Sequence, residues 1–156
     1  MITLGISAQE YRFKAMYIYN FTKYIKWPSA PNETEFVIAV LGNNEIVTEL
    51  SEMAKSKTIQ NKKIVIQKVA PSDVTDKFQI IYISRDYNNQ IQKVTSSVAD
   101  KPVLVITEKN NACQEGSCIN FIQKSDNLGF QLHKGNITKK GIVLNSTLLN
   151  LGEVVE

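Results

Sequence analysis

Four short apolar runs, spaced by segments of helical periodicity, limit this chain to few architectures. Phe36–Leu41 is continuously apolar, Phe78–Ile83 and Pro102–Thr107 nearly so, and Lys62–Val69 carries Ile64 and Ile66 on one side with Val65 on the other. Runs this short and apolar suit strands buried on both faces. Gly42-Asn43-Asn44 turns the first run into a helix carrying Ile46, Val47, Leu50, Met53 and Ala54. Pro71-Ser72-Asp73 starts a short helical turn with Ser72 as its cap. Ser84 caps a further helix whose Tyr87, Ile91, Val94 and Val98 form an inward stripe. Helix and strand alternate as in a mostly parallel sheet covered by helices on both faces. The last third differs: Cys118–Gln123 and Leu128–His133 flank Lys124-Ser125-Asp126-Asn127 as a β-hairpin. A helix follows from about Asn136, with Ile137, Gly141, Leu144, Leu148 and Leu151 at helical spacing. The expectation is a single α/β domain with a C-terminal β-hairpin and helix, because 156 residues suit one core.

Ahead of the first strand, Lys14–Pro28 reads as the second half of a helix that begins near Ala8 and stops at Trp27, where Pro28 disfavours helix. Tyr11, Phe13, Ala15, Tyr17, Ile18, Phe21, Tyr24 and Ile25 fall on one broad arc, so the helix should pack on a sheet. Arg12, Lys23 and Lys26 lie opposite, with Tyr19 between them. Lys14 interrupts the apolar arc. Either its stem lies on apolar surface and its ammonium escapes to water, or it pairs, buried, with a carboxylate or a ligand. Trp27, Tyr17, Tyr19 and Tyr24 belong to the core or its boundary, and any left exposed would serve as partner anchors.

A net charge of +3, with lysines dispersed apart from Lys55–Lys63 and Lys139-Lys140, argues against a dedicated nucleic-acid surface. Such lysine runs read as solvated faces. No stretch approaches the ~18 apolar residues of a membrane span. Ile2–Ala8 looks like the end of a secretory leader, with small residues at Ser7 and Ala8 although Ile6 departs from the usual cleavage pattern. Residues 1–8 are then a leader remnant and 9–156 the α/β domain, in a periplasmic protein; a cytosolic N-terminus is the alternative. Cys113 and Cys118 are the only cysteines, five positions apart around Gly116. In an oxidising compartment they read as a local disulfide; a redox-sensitive pair and two free thiols are the alternatives.

A catalytic set is hard to assemble. His133 alternates with Phe130 and Leu132 in a strand without an adjacent acid, and reads as a surface or structural histidine. As the only histidine, it leaves zinc short of ligands. Ser84 lacks the G-x-S-x-G elbow of hydrolases. Phosphoacceptor chemistry needs acids after the first and third strands, where Gly42-Asn43 and Ser84 stand. Asp73, Asp76 and Asp86 would line a crevice at strand ends or begin helices. No catalytic residue, metal or cofactor is expected.

Lys14-Ala15, Tyr19-Asn20-Phe21, Lys23 and Trp27-Pro28 resemble the N-terminal signature of the YfiR-like proteins. The resemblance continues through FVIAVLG at 36–42, FQIIYIS at 78–84, PVLVIT at 102–107, GSCINF at 116–121 and STLLNLGEVV at 146–155. It implies a non-enzymatic periplasmic regulator that inhibits a membrane-bound signalling enzyme through its periplasmic sensor. The enzyme is typically a diguanylate cyclase making cyclic di-GMP, or else a sensor kinase. An outer-membrane lipoprotein would relieve inhibition by sequestering the regulator. Lys14, Tyr19 and Trp27, with Arg12, Lys23 and Lys26 as steering charges, are the candidate ligand or partner residues, and a homodimer is left open. The competing functions are a small-molecule receptor holding an anionic solute in an α/β crevice that includes Lys14, and a thiol redox enzyme resting on the cysteine pair.

Overall fold

The computed structural model describes residues 3–29 and 32–156, with the side chains of 3–7 excepted. The Met1-Ile2 end of the expected leader remnant therefore lies outside the described residues. Helix α1 spans Thr3–Phe21, ahead of the two-residue β1, Ile25–Lys26. Strand β2 (Glu35–Leu41) leads into α2 (Asn44–Ala54), and β3 (Thr58–Ile59) into β4 (Lys62–Lys68). The centre continues with β5 (Ile80–Ile83), α3 (Ile91–Ser97) and β6 (Leu104–Thr107). Strands β7 (Ile119–Lys124) and β8 (Asn127–His133) form the hairpin. Last come α4 (Lys134–Thr138), β9 (Val143–Leu144), α5 (Ser146–Leu151) and β10 (Glu153–Val155).

The main sheet has eight strands in the order β10-β8-β7-β6-β5-β2-β4-β3. The pairs from β4 through β2, β5 and β6 to β7 are all parallel, as is β10 with β8, while β3–β4 and β7–β8 are antiparallel. The chain starts the sheet at β2, goes outward to β4, then returns past β2 to β5 and onward. The order therefore reverses between β2 and β5, as in doubly wound α/β sheets. All four residues of β5 and of β6 are buried, as strands covered on both faces must be. Phe121 on β7 packs beneath Tyr17 and Phe21 of α1. Cys118, which precedes β7 and lies an odd number of positions from Phe121, instead meets Asn136 of α4 on the opposite face. So α1 covers one face and α4 the other, which meets the expected architecture.

Four expectations on helices are corrected. α1 does not run to Trp27: i+3 bonds from Thr22 N to Tyr19 O and Lys23 N to Asn20 O tighten its last turn and end it. Ile25 and Lys26 then pair with Leu144 and Val143 of β9 in a separate two-stranded ribbon. The single C-terminal helix is broken into α4, β9 and α5, because Gly141 adopts a left-handed φ of +76° that helix cannot continue through. Ser84 starts a 3-10 turn, Arg85–Gln90, rather than capping a helix with its side chain; its Oγ instead accepts from Asn43 N at 3.3 Å. Ala70, not Ser72, occupies the cap position before Pro71.

Burial corrects two more. Phe13, placed on the apolar arc, is exposed, whereas Tyr11, Lys14, Ala15, Ile18 and Phe21 form the narrow buried stripe. The lysine runs are not wholly solvated faces either. Lys62 is buried against Glu33, 3.1 Å away. Lys140 is buried with its ammonium on Val98 O at 2.7 Å, and that burial lowers its pKa.

The turn from β2 into α2 tolerates no side chain. Gly42 has φ +98°, and a Cβ there would stand 2.0 Å from Ser84 Oγ. We expect Gly42→Ala to lose about 2 kcal/mol or more of stability from left-handed strain plus displacement of Ser84. Urea denaturation would measure it, and an unchanged midpoint would contradict this account of the turn.

Candidate functional site

Lys14 is a fully buried cation. Its position on the stripe between Tyr11 and Ile18 carries it under α1 with 1% of its surface exposed. Two carboxylates meet it there. Its ammonium donates to Glu10 Oε2 at 2.7 Å, one helical turn back, and to Glu108 Oε1. Glu108, whose side chain is 2% exposed, follows the last residue of β6. Arg85, just beyond the end of β5, closes the cluster: its Nη2 reaches Glu10 Oε2 at 2.9 Å, and its backbone N–H donates to Glu108 Oε2 at 3.0 Å. Two cations and two carboxylates are thus interleaved at the carboxyl ends of two central strands. Tyr11 lies under the Lys14 ammonium at 4.9 Å.

Burial alone would raise the Glu10 carboxyl, but the Lys14 hydrogen bond and charge and the Arg85 charge outweigh it, so its pKa is lowered. Burial opposes the Arg85 charge, yet Glu108 and Glu10 hold its pKa above the usual value. Burial, then the Glu108 charge, push Tyr11 up to about 12. The same two causes raise Tyr82 well above the ordinary tyrosine value. The Tyr82 hydroxyl is buried in the field of Glu108 without a hydrogen-bond partner of good geometry.

These contacts decide between the readings of Lys14. The ammonium does not escape to water, and it is not available to an anionic solute, because two carboxylates of the chain already hold it. Glu10 was legible as an i–4 partner on the same helix. Glu108 and Arg85 were not: they become neighbours only once β5 and β6 are known to be adjacent and parallel.

The other candidates scatter. Trp27 is core, 3% exposed, edge-on to Phe36 with centroids 4.9 Å apart and Nε1 donating to Gln79 O at 2.9 Å. It cannot anchor a partner. Arg12 reaches across to Glu49 of α2 at 3.8 Å. Lys23 lies beyond the far end of α1, so the basic face does not act as one patch. Tyr19 lies beneath two ammonium groups, Lys23 at 5.2 Å and Lys57 at 5.0 Å. Lys26 is exposed on β1. Asp73 and Asp86 line different clefts, at opposite ends of the sheet.

Cys113 and Cys118 are both buried and free, so the expected disulfide is not formed here. Hydrogen bonds hold their loop instead: Asn136 Nδ2 donates to Cys113 O and Ser117 O, each at 2.9 Å. Burial, with the Cys118 charge, pushes the Cys113 thiol up to about 12, and burial raises Cys118 too. Neither is a ready thiolate at neutral pH, the form that starts thiol–disulfide exchange. His133 is structural, as expected: Nδ1 accepts from Asn136 N at 2.9 Å and caps α4. Among the described residues no acid, histidine and cysteine group could hold a metal ion, and no helix is long and apolar enough to cross a membrane.

The fold and site thus define a doubly wound α/β domain whose strand-end charges neutralise one another. The profile of the YfiR/HmsC-like family matches residues 11–153. The chain belongs to that family. Among solved structures it is similar to the crystal structure of a conserved domain protein from Vibrio cholerae O1 biovar El Tor, with a TM-score of 0.55 at 14% identity. The match covers 81% of this chain and 56% of that one, and it speaks to the fold alone. No protein of curated function matches the chain.

Removing the lysine from this cluster strands the buried Glu108 charge. We expect Lys14→Met to cost about 3–5 kcal/mol at pH 7 and Lys14→Met with Glu108→Gln to cost much less. Equal losses in the single and double variants, by chemical denaturation, would show that shape and not charge is the cause. Glu10 titrates lower folded than unfolded, so its contribution is full above the ordinary 4.5 and is lost as the pH falls through its lowered value. Arg85 is 59% exposed, so Arg85→Ala should cost only about 1 kcal/mol or less. That difference from the wild type should be complete above pH 4.5 and shrink on acidification, as acid titration of stability would show.

Proposed function

We propose that this chain is an exported, non-catalytic regulator that docks onto the extracytoplasmic sensor of a membrane-bound signalling enzyme. A diguanylate cyclase is the first candidate, a sensor kinase the second, and an outer-membrane lipoprotein the sequestering partner. The observation that carries this reading is the family match across 11–153. The chemistry agrees with it. The strand-end charges are spent on one another, Ser84 accepts a backbone hydrogen bond, and His133 caps a helix, so the residue types that could work on a substrate hold structural posts.

Affinity capture from a membrane extract with the tagged chain should retain a membrane signalling protein, and deletion of the gene should raise that enzyme's output. If the enzyme is a cyclase, cyclic di-GMP and biofilm rise together. Unchanged cyclic di-GMP in the deletion strain would remove the cyclase version and leave the kinase. Raising the salt should slow association, because the steering charges Lys23 and Lys26 are exposed.

The receptor reading keeps one specific support. An open cleft of about 740 Å³ lies at the carboxyl ends of β2 and β5, lined by Gly42, Asn43, Lys68, Asp86, Tyr87 and Gln90. Lys14 is not part of it, so the charge that motivated an anionic ligand is missing. A solute retained in native mass spectrometry, without any captured membrane protein, would move the assignment there.

Export also brings the thiols into an oxidising compartment, where Cys113 and Cys118 become candidates for a disulfide. Intact mass of periplasmic protein, alkylated before and after reduction, should then differ; two thiols that alkylate in unfolded, unreduced protein would exclude the bond.

A further inference from the structure

Two clefts meet at the end of α1 on a surface that the ion-pair cluster does not touch. One, of about 350 Å³, opens between α1, β8 and α5, and is walled by Tyr17, Phe21, Phe130, Leu148 and Leu151. The other, about 380 Å³, follows the β1–β9 ribbon past Ile25, Lys26, Gln60 and Val143. Lys23 and Tyr24 line both, so the two form one groove. Leu151 at one end is 59% exposed and Val143 at the other 63%, two of the few large apolar side chains left in water.

Charge says what the groove would accept. No carboxylate lines either half, whereas Glu33, Glu35 and Asp73 line one of the other clefts and Glu45 and Asp86 another. Among the described residues Lys23, Lys26 and Lys57 form no ion pair. Lys23 and Lys57 each lie over the Tyr19 ring, at 5.2 and 5.0 Å. A carboxylate laid along the groove meets the unpaired Lys23 and Lys26.

The geometry points to this groove as the docking channel for an acidic segment of a partner protein that carries a bulky apolar side chain. The apolar side chain enters between Tyr17, Phe130 and Leu151, and the flanking carboxylates lie along Lys23 and Lys26. A second copy of this chain is the poorer occupant, because a two-fold contact would set the lysines against their own images. The inference rests on the docking reading and adds to it the surface and the chemistry of the partner.

The probe is a short fluorescein-labelled peptide with a central Trp-Leu pair flanked by glutamates, followed by anisotropy. One control has lysines for the glutamates; another has alanines for Trp-Leu. Only the acidic, anchored peptide should bind. Added salt and the variant Lys23→Glu/Lys26→Glu should each weaken it about tenfold or more, and Leu151→Asp should abolish binding, with far-UV circular dichroism unchanged. Equal binding of the lysine peptide, binding indifferent to both variants, or no binding at all would overturn the proposal. A dimer in sedimentation that Leu151→Asp dissociates would also overturn it, giving the groove to a second copy. The docking reading fails separately. If Lys23→Glu/Lys26→Glu still captures the membrane protein, the groove falls and the regulator stands; if the peptide binds but nothing is captured, the reverse holds.

Discussion

The contact on which this architecture most depends is the buried pair of Lys14 and Glu108. Each charge is expensive to bury, and each makes the other tolerable. The pair ties α1, which precedes the sheet in sequence, to the end of β6 near its centre. It also fixes the rotation of α1: with Lys14 turned inward, Tyr11, Ile18 and Phe21 must follow it, and Phe13 and Met16 must face water. A methionine at 14 would pack, but it would neither select this helix rotation against its neighbours nor satisfy Glu108. Glu10 and Arg85 complete the neutralisation and are the more exposed half, the part that solvent and acid reach first.

The fold was legible where periodicity alone decides. The runs that became β2, β5 and β6 are apolar on both faces and β4 carries its isoleucines in alternation, so no tertiary knowledge was needed. The hairpin was legible from Lys124-Ser125-Asp126-Asn127, although Lys124 and Asn127 prove to be the paired ends of its strands. Legibility failed where short pieces owe their state to a distant partner. Ile25–Lys26 and Val143–Leu144 are strands only because each pairs with the other across the whole chain, and their residues fit a helical pattern equally well. Gly141 was a visible stop inside the supposed last helix, yet Leu144, Leu148 and Leu151 kept helical spacing across it.

The site was half legible for the same reason. Lys14 stood out because it broke a pattern within one helix, and Glu10 lay a turn away. Its deeper partner, Glu108, is ninety-four positions on and carries no local sign of burial, since it follows a strand as any loop acid does. Trp27 was read as core or boundary, with anchoring kept only for aromatics left exposed, and the core reading holds: Gln79 O receives its indole N–H and Phe36 its ring edge, so it closes the core beneath the ribbon. The cysteine spacing was read as a local disulfide, but both thiols are free here and Asn136 holds the loop between them.

Doubly wound sheets commonly place their ligands beyond the carboxyl ends of the strands, where the order reverses. Here protein occupies part of that ground: Glu108 and Arg85 leave the ends of β6 and β5 and are answered by Lys14 and Glu10 from α1. Helix α1 is thereby locked against the ends of β5 and β6, while the cleft at the ends of β2 and β5 stays open. With those charges spent, the uncompensated ones lie elsewhere, on Lys23 and Lys26 where α1 gives way to the β1–β9 ribbon. Helix α1 contributes the buried Lys14 that closes the strand ends, and the turn that follows it carries the exposed Lys23. Lys14 is buried under α1, whereas Lys23, nine positions on and past the end of that helix, is exposed, so the chain keeps an unpaired charge well away from the strand ends.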